Sequence, residues 1–183
     1  MDTKTSLRED MAMPEEKPYR ELFDGEVLEK CMGFWRQQML ITEVMLLLGQ
    51  FTQERGLRSA LPYLSCADST NEWVLIPALS YASRERMPWK TIDAPYPIPV
   101  LAEFVVEVLG EGEDAGRFLQ RIVHYLNFGV ELLWVIDPDL ESVTVWRPNS
   151  APEVHESPAK LSAAPVLADF ELDLTQLFDS LRR

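Results

Sequence analysis

Glu103-Phe-Val-Val-Glu-Val-Leu109, an acidic glycine-containing turn, a helical segment and Leu132-Leu-Trp-Val-Ile-Asp-Pro138 form the stretch on which the architecture turns. In the first run Phe104, Val106 and Val108 share one face, and Glu103, Val105 and Glu107 share the other. That alternation marks a β-strand with carboxylates on one side. Between Ala115 and Phe128 the residues Phe118, Leu119, Ile122, Tyr125 and Leu126 recur at helical spacing, with Asp114 placed to cap the start and Gly129 to follow the end. The unbroken apolar run from Leu132 to Ile136 suits a strand buried on both faces. Strand, helix and buried strand within about 35 residues make a βαβ unit, with parallel strands and a right-handed crossover.

Working outward, Tyr19-Arg-Glu-Leu-Phe23 and Glu26-Val-Leu-Glu29 flank Asp24-Gly25, a two-residue hairpin signal. From Phe34 to Glu54 a stripe of Trp35, Leu40, Val44, Leu47, Leu48 and Phe51 predicts the longest helix, ended by Gly56. Short strands are expected near Ser59–Leu64 and Trp73–Ser80, with a polar turn at Ala67–Asn71. Pro88, Pro95, Pro97 and Pro99 make the next segment an extended loop. Val143-Thr-Val-Trp146 reads as a strand returning on Leu132–Ile136, and 148–165 as an irregular connection. Asp173 with Gln176 gives a capping pattern for a last short helix whose apolar face is Leu174, Leu177, Phe178 and Leu181.

The composition fits one globular domain over 18–183 behind a polar tail at 1–17, for 46% of the 183 residues are hydrophobic. A formal charge of −13 disfavours broad attraction to a polyanion, which needs a basic surface. Cys31 and Cys66 form no CxxC pair and read as ordinary thiols of a reducing compartment. The most apolar stretch, Met39–Leu48, is interrupted by Thr42 and Glu43 and is too short to span a bilayer. A soluble cytoplasmic protein, with no membrane association, is the expectation.

Gly110-Glu-Gly-Glu-Asp-Ala-Gly116 follows a strand and opens a helix, but its GxGxxxG spacing departs from the dinucleotide fingerprint. Glu111, Glu113 and Asp114 would also repel a phosphate where helix amides should receive it. The two histidines, His124 and His155, are too far apart in sequence for a local metal motif, and His124 is expected at the surface or partly packed. Carboxylates such as Glu107, pointing off a central strand beside a helix, are what a Mg²⁺-dependent phosphodiesterase needs, because a hard cation takes oxygen ligands. Glu103 and Glu107 lie roughly 13 Å apart along the strand and cannot share one ion. A second acid has to come from a neighbouring strand; otherwise this is a solvated acidic face.

The order of elements, with Glu107 on the third core strand, resembles the PD-(D/E)xK nuclease core: an α/β (α+β) fold with a mixed central sheet in the order α-β-β-β-α-β. More closely, the chain resembles the Uma-type family of restriction endonucleases. Glu21-Leu-Phe-Asp-Gly-Glu-Val27 matches its N-terminal hairpin, and Val105-Val-Glu-Val-Leu-Gly110 its central strand. Tyr125-Leu-Asn-Phe-Gly-Val-Glu-Leu-Leu-Trp-Val-Ile-Asp-Pro138 matches its helix-to-strand run, and Phe170-Glu-Leu-Asp-Leu-Thr-Gln-Leu-Phe178 its ending. The resemblance implies a DNA substrate, Mg²⁺ or Mn²⁺, and catalytic residues at three positions. The acid falls on Glu107; the metal-binding Asp falls on Ala78, after Pro77; the lysine falls on Arg121. An alanine methyl cannot ligate a cation, and an arginine does not readily exchange a proton. Asp93 and Glu26 are candidates for a replacement ligand, whereas Glu72 lies roughly 20 Å of strand from Ala78. The reading is an endonuclease fold with catalysis lost or severely weakened, Glu107 as metal ligand and Arg121 as phosphate clamp. The alternative is an inactive relative serving as a binding or homodimeric assembly module. A small-molecule-binding α/β domain has no phosphate loop to support it.

Overall fold

The computed structural model describes residues 19–30, 34–70, 72–88, 95–110 and 112–182. The expected tail at 1–17, Cys31 and Asp93 lie outside them. A hairpin of β1 (Arg20–Phe23) and β2 (Glu26–Glu29) turns at Asp24 and Gly25, whose φ angles of 52° and 76° are the left-handed pair a two-residue hairpin requires. Helix α1 (Trp35–Glu54) follows, then β3 (Leu61–Pro62), β4 (Cys66–Ala67), β5 (Val74–Leu75) and β6 (Leu79–Tyr81). The βαβ unit is β7 (Phe104–Val108), α2 (Ala115–Asn127) and β8 (Leu132–Asp137), and its strands are parallel, with Glu107 opposite Val135. After β9 (Ser142–Trp146) come β10 (Glu153–Glu156), β11 (Lys160–Ser162), β12 (Glu171–Asp173) and the short α3 (Leu174–Asp179).

The main sheet has the order β10-β9-β8-β7-β6-β3, and a small sheet the order β2-β1-β5-β4. The segment expected as one strand near Trp73–Ser80 is divided between the two. Val74 pairs with Leu22 in the small sheet, whereas Leu79 pairs with Val106 in the main one. Pro77 stands at the break, where a residue with no N–H cannot continue a ladder. The region 148–165 is also more regular than expected: β10 adds to β9, and β11 pairs with β12 as a separate ribbon. Its prolines, among them the cis Ser157-Pro158 and Ala164-Pro165, lie outside the paired strands.

Both faces of the main sheet are covered. Phe104, Val106, Val108, Trp134 and Ile136 pack with Leu40, Val44 and Leu48 of α1 and with Leu174, Leu177 and Phe178 near the C-terminus. Val105, Leu133 and Val135 point the other way and pack with Phe118, Ile122 and Tyr125 of α2. The carboxylate face of β7 is therefore not a solvated one: every residue of β7 is buried, and Glu103 and Glu107 are 8% and 3% exposed. Two residues of the predicted stripes point outward instead, Trp35 at 64% and Leu119 at 50% exposure. Asp114 caps α2 by accepting from the Arg117 N–H, Asp173 caps α3, and Gly129 has φ +102° just past α2. A side chain at Gly129 would also meet the Arg86 guanidinium, whose Nη1 would lie 2.8 Å from its Cβ.

Trp134 is fully buried, yet its indole Nε1 finds no hydrogen-bond partner among the described residues. Trp134→Ala should cost about 3–5 kcal/mol by leaving a cavity. Trp134→Phe should cost far less, about 1 kcal/mol, because it also removes a buried donor with no partner. Urea denaturation of the two variants checks the ordering.

Candidate functional site

The break at Pro77 exposes two backbone donors inside the protein, and two carboxylates take them. The Ile76 N–H donates to Glu21 Oε1 at 2.7 Å, and the Ala78 N–H to Glu107 Oε2 at 3.3 Å. Glu21 comes from β1 and Glu107 from β7, and they are 1% and 3% exposed. Buried carboxylates need counter-charges as well as donors. Lys30, just past β2 and 6% exposed, puts Nζ 3.6 Å from Glu21 Oε1 and 3.5 Å from Glu107 Oε2. Arg121 on α2 reaches Glu21 Oε2 at 2.6 Å and Glu113 Oε1 at 3.1 Å. The Tyr125 hydroxyl closes the set by donating to Glu107 Oε1 at 2.8 Å.

Three carboxylates thus face two cations in one buried cluster. Burial raises the Glu113 pKa, and Arg121 opposes the shift. Burial works against the Arg121 charge, but Glu21, Glu107 and Glu113 around it prevail and raise its pKa above that of an ordinary guanidinium. Burial and then the adjacent Glu107 carboxylate raise Tyr125 well above an ordinary phenol, so its hydroxyl remains a donor near neutral pH. A void of about 20 Å³, room for a single water-sized species, is lined by Lys30, Gln37, Ala78, Glu107, Glu113 and Arg121 among others. Arg121 Nε and Gln37 Oε1 have no hydrogen-bond partner among the described residues.

Of the residues singled out from sequence, Glu107, Ala78 and Arg121 do converge here. Glu26 does not: it is exposed on the hairpin, 3.7 Å from Arg117. Glu103 forms its own buried corner, accepting from the Ser83 N–H and hydroxyl, with Arg86 Nε at 3.7 Å. Sequence reasoning missed Glu21, Lys30, Glu113 and Tyr125 as site residues. Glu21 left a signal, as a charged residue inside the hairpin motif next to Leu22 and Phe23; Lys30 left none.

A divalent cation needs several oxygen ligands with free lone pairs. Both oxygens of Glu107 and both of Glu21 are already engaged by resident donors. Position 78 offers a methyl and a backbone N–H, and among the described residues no three His, Cys, Asp or Glu side chains are grouped to hold a metal. As arranged, the residues do not fit a bound divalent cation.

Beyond α2 a cleft of about 570 Å³ opens beside Glu113 and Gln37. Its wall is largely apolar, with Phe34, Phe118, Ile122 and Trp146, and it carries Glu113, Asp137 and Asp139 against Arg36, which is itself held by Asp139 at 2.7 Å. On the hairpin side of α2, His124 is buried rather than superficial. It is stacked between Trp73 and Phe128, with ring centroids 3.9 and 4.3 Å away, and its Nε2 lies 3.2 Å from Asp68 Oδ2 without the alignment of a hydrogen bond. The cluster of carboxylates, Arg and Tyr thus lies under the βαβ helix, beside Pro77 and Ala78, which precede β6.

The profile of the Uma2 family, described as "Putative restriction endonuclease", matches residues 7–175. This chain belongs to the Uma2 family. Its fold is also that of a crystal structure described as a putative nuclease belonging to DUF820 from Anabaena variabilis ATCC 29413. The TM-score is 0.85 at 24% identity, covering 96% of this chain and 98% of that one. No curated protein matches the chain. Among the described residues no helix of this Uma2 protein is long and apolar enough to cross a membrane.

Two predictions follow from these contacts. Tyr125→Phe leaves Glu107 Oε1 buried without its donor and should cost about 1.5–3 kcal/mol, the range for hydrogen bonds to charged groups, in urea denaturation. Burial lowers the His124 pKa to about 4, against the opposing pull of Asp68. The folded state therefore holds His124 neutral, and stability present above pH 6.5 should be lost as pH falls toward 4. Thermal melts at stepped pH should show this loss, and His124→Phe should flatten that part of the profile.

Proposed function

We propose that this Uma2 protein keeps the nuclease fold but has lost, or retains only weakly, metal-dependent phosphodiester hydrolysis. The observation that carries this reading is the state of Glu107. Its two oxygens are taken by Tyr125, the Ala78 N–H and Lys30, at the place where a nuclease of this fold would direct them at a metal. Family membership supports DNA as the ancestral substrate and Mg²⁺ or Mn²⁺ as the ancestral cofactor. Glu107 and Arg121 are the surviving catalytic-type positions, and both serve the ion-pair cluster. Arg121, held by Glu21 and Glu113, has little charge left to offer a phosphate. The cleft next to it carries an excess of carboxylates, which repels rather than gathers a polyanion.

That cleft favours a second reading, an assembly module that pairs with another copy of itself. Phe34 and Leu119, which line it, are 63% and 50% exposed, and Trp35, next to Phe34 in the chain, is 64% exposed. Apolar side chains gathered on one surface suit a protein contact better than a nucleic-acid one.

Calorimetry with Mn²⁺ on the native protein should show no saturable binding, and supercoiled plasmid should stay intact with Mg²⁺ or Mn²⁺. Binding that vanishes in Glu107→Ala, together with nicking of the plasmid, would sink this reading. Analytical ultracentrifugation tests the second one: Trp35→Glu should dissociate any dimer formed through the cleft, and a native protein monomeric at all concentrations would exclude it.

A further inference from the structure

We infer that Lys30 is a resident counter-cation occupying the place of a divalent ion, and that removing its side chain converts the buried cluster into a metal site. The inference rests on the nuclease-fold reading above and deepens it by naming the group that keeps metal out.

Two carboxylates from different sheets converge on one ammonium, Glu21 from β1 at 3.6 Å and Glu107 from β7 at 3.5 Å. All three residues are at least nine-tenths buried. These separations exceed the roughly 2.7–2.9 Å of a tight charge-assisted hydrogen bond. Lys30 therefore acts here chiefly through its charge, and a compact cation of higher charge would meet the same demand. The backbone N–H of Lys30 is tied to the Tyr19 carbonyl at 2.7 Å, so the end of β2 holds the side chain over the cluster. Arg121 cannot take over this role, because its two terminal nitrogens are committed to Glu21 Oε2 and Glu113 Oε1.

The surroundings suit a hard cation once the ammonium is gone. Glu107 Oε2 and Glu21 Oε1 lose their shared partner, leaving three carboxylates to a single guanidinium. Gln37 Oε1, an amide oxygen with no hydrogen-bond partner among the described residues, belongs to a side chain lining the same small void as Lys30 and Glu107. Gln37 is itself 6% exposed, fixed through its Nε2 by the Leu109 carbonyl at 2.5 Å. Two carboxylates and an amide oxygen are hard ligands of the kind Mg²⁺ and Mn²⁺ take, with water completing the shell. Truncating the lysine chain to alanine enlarges that void to admit them.

The test compares the full-length native protein with Lys30→Ala and Lys30→Gln, titrated with Mn²⁺ and read by the loss of the free-ion electron paramagnetic resonance signal. The expected result is one Mn²⁺ per chain in Lys30→Ala, at least about tenfold tighter than in the native protein. Adding Glu107→Gln should abolish it. Thermal melting gives an independent reading: Mn²⁺ should raise the Tm of Lys30→Ala and leave that of the native chain unchanged. If Lys30→Ala does not fold alone, the reading is taken from Lys30→Gln and from refolding in Mn²⁺, where recovery of the native circular dichroism spectrum supports the inference. Folded variants that bind Mn²⁺ no better than the native protein overturn it. So does a failure of both variants to fold with Mn²⁺ present, because the divalent ion would then be no substitute for the ammonium. A native protein that itself binds Mn²⁺ and cuts DNA defeats the functional reading instead, which keeps the two failures apart.

Discussion

The chain changes sheets between Leu75 and Leu79, and the rest of the molecule accommodates the backbone groups stranded there. A strand that leaves one ladder before joining another has N–H groups inside the protein with no strand opposite them, and buried donors without acceptors are costly. Pro77 removes one such donor. Glu21 and Glu107 receive the other two, at Ile76 and Ala78. Using carboxylates as acceptors brings charge into the interior, and the charge in turn fixes where Lys30, Arg121 and Tyr125 must be. The hairpin, the helix of the βαβ unit and the central strand are thereby joined through one set of polar contacts. Shape complementarity alone would not specify that junction so narrowly. Removing one member of such a set leaves its partners buried and uncompensated, which is the costly case for buried ion pairs.

This arrangement leaves the fold and the side chains of the cluster as separable features. A metal-dependent site needs acids whose lone pairs point at an ion; the oxygens of Glu21 and Glu107 point at the protein's own backbone and side chains. The scaffold around them is intact, with the parallel β7–β8 pair, the crossover helix and the covering layer on each side of the sheet. A shared fold does not by itself carry a shared activity, which depends on a few side chains. The cleft beside the cluster has a largely apolar wall and carries Glu113, Asp137 and Asp139.

Much of this was legible in the sequence where a local pattern carried it. The alternation in Phe104–Val108, the spacing from Phe118 to Tyr125 and the Asp-Gly turn gave the βαβ unit and the hairpin directly. Ala78 and Glu107 were singled out separately by the family resemblance, and the fold sets them side by side, with the Ala78 N–H donating to Glu107 Oε2. What was illegible is non-local. Glu21 and Glu107 are far apart in sequence, and nothing in either neighbourhood announces the other. Lys30 follows the hairpin with no pattern of its own, and its burial depends on Glu21 and Glu107 arriving from other strands. The sheet change was marked by Pro77 within the run Trp73–Ser80, but periodicity records which side a residue faces and not which sheet it joins. His124 looked superficial since its partners, Trp73 and Asp68, come from the segment flanking β5 and not from its own helix.

The aromatic joint at that histidine has a consequence for how the molecule opens. Trp73 stacks on His124 of α2 and also touches Phe23 of β1, with centroids 4.1 Å apart. It is the seam along which the small sheet meets the crossover helix, away from the larger core on the α1 side. Because Phe23 and Leu75 of the small sheet share one apolar cluster with Val105, Leu133 and Val135 of the main sheet, lifting the hairpin would part this seam and open that cluster together. An indole lying on an imidazole is also an optical probe of the event, since separation of the rings alters its emission.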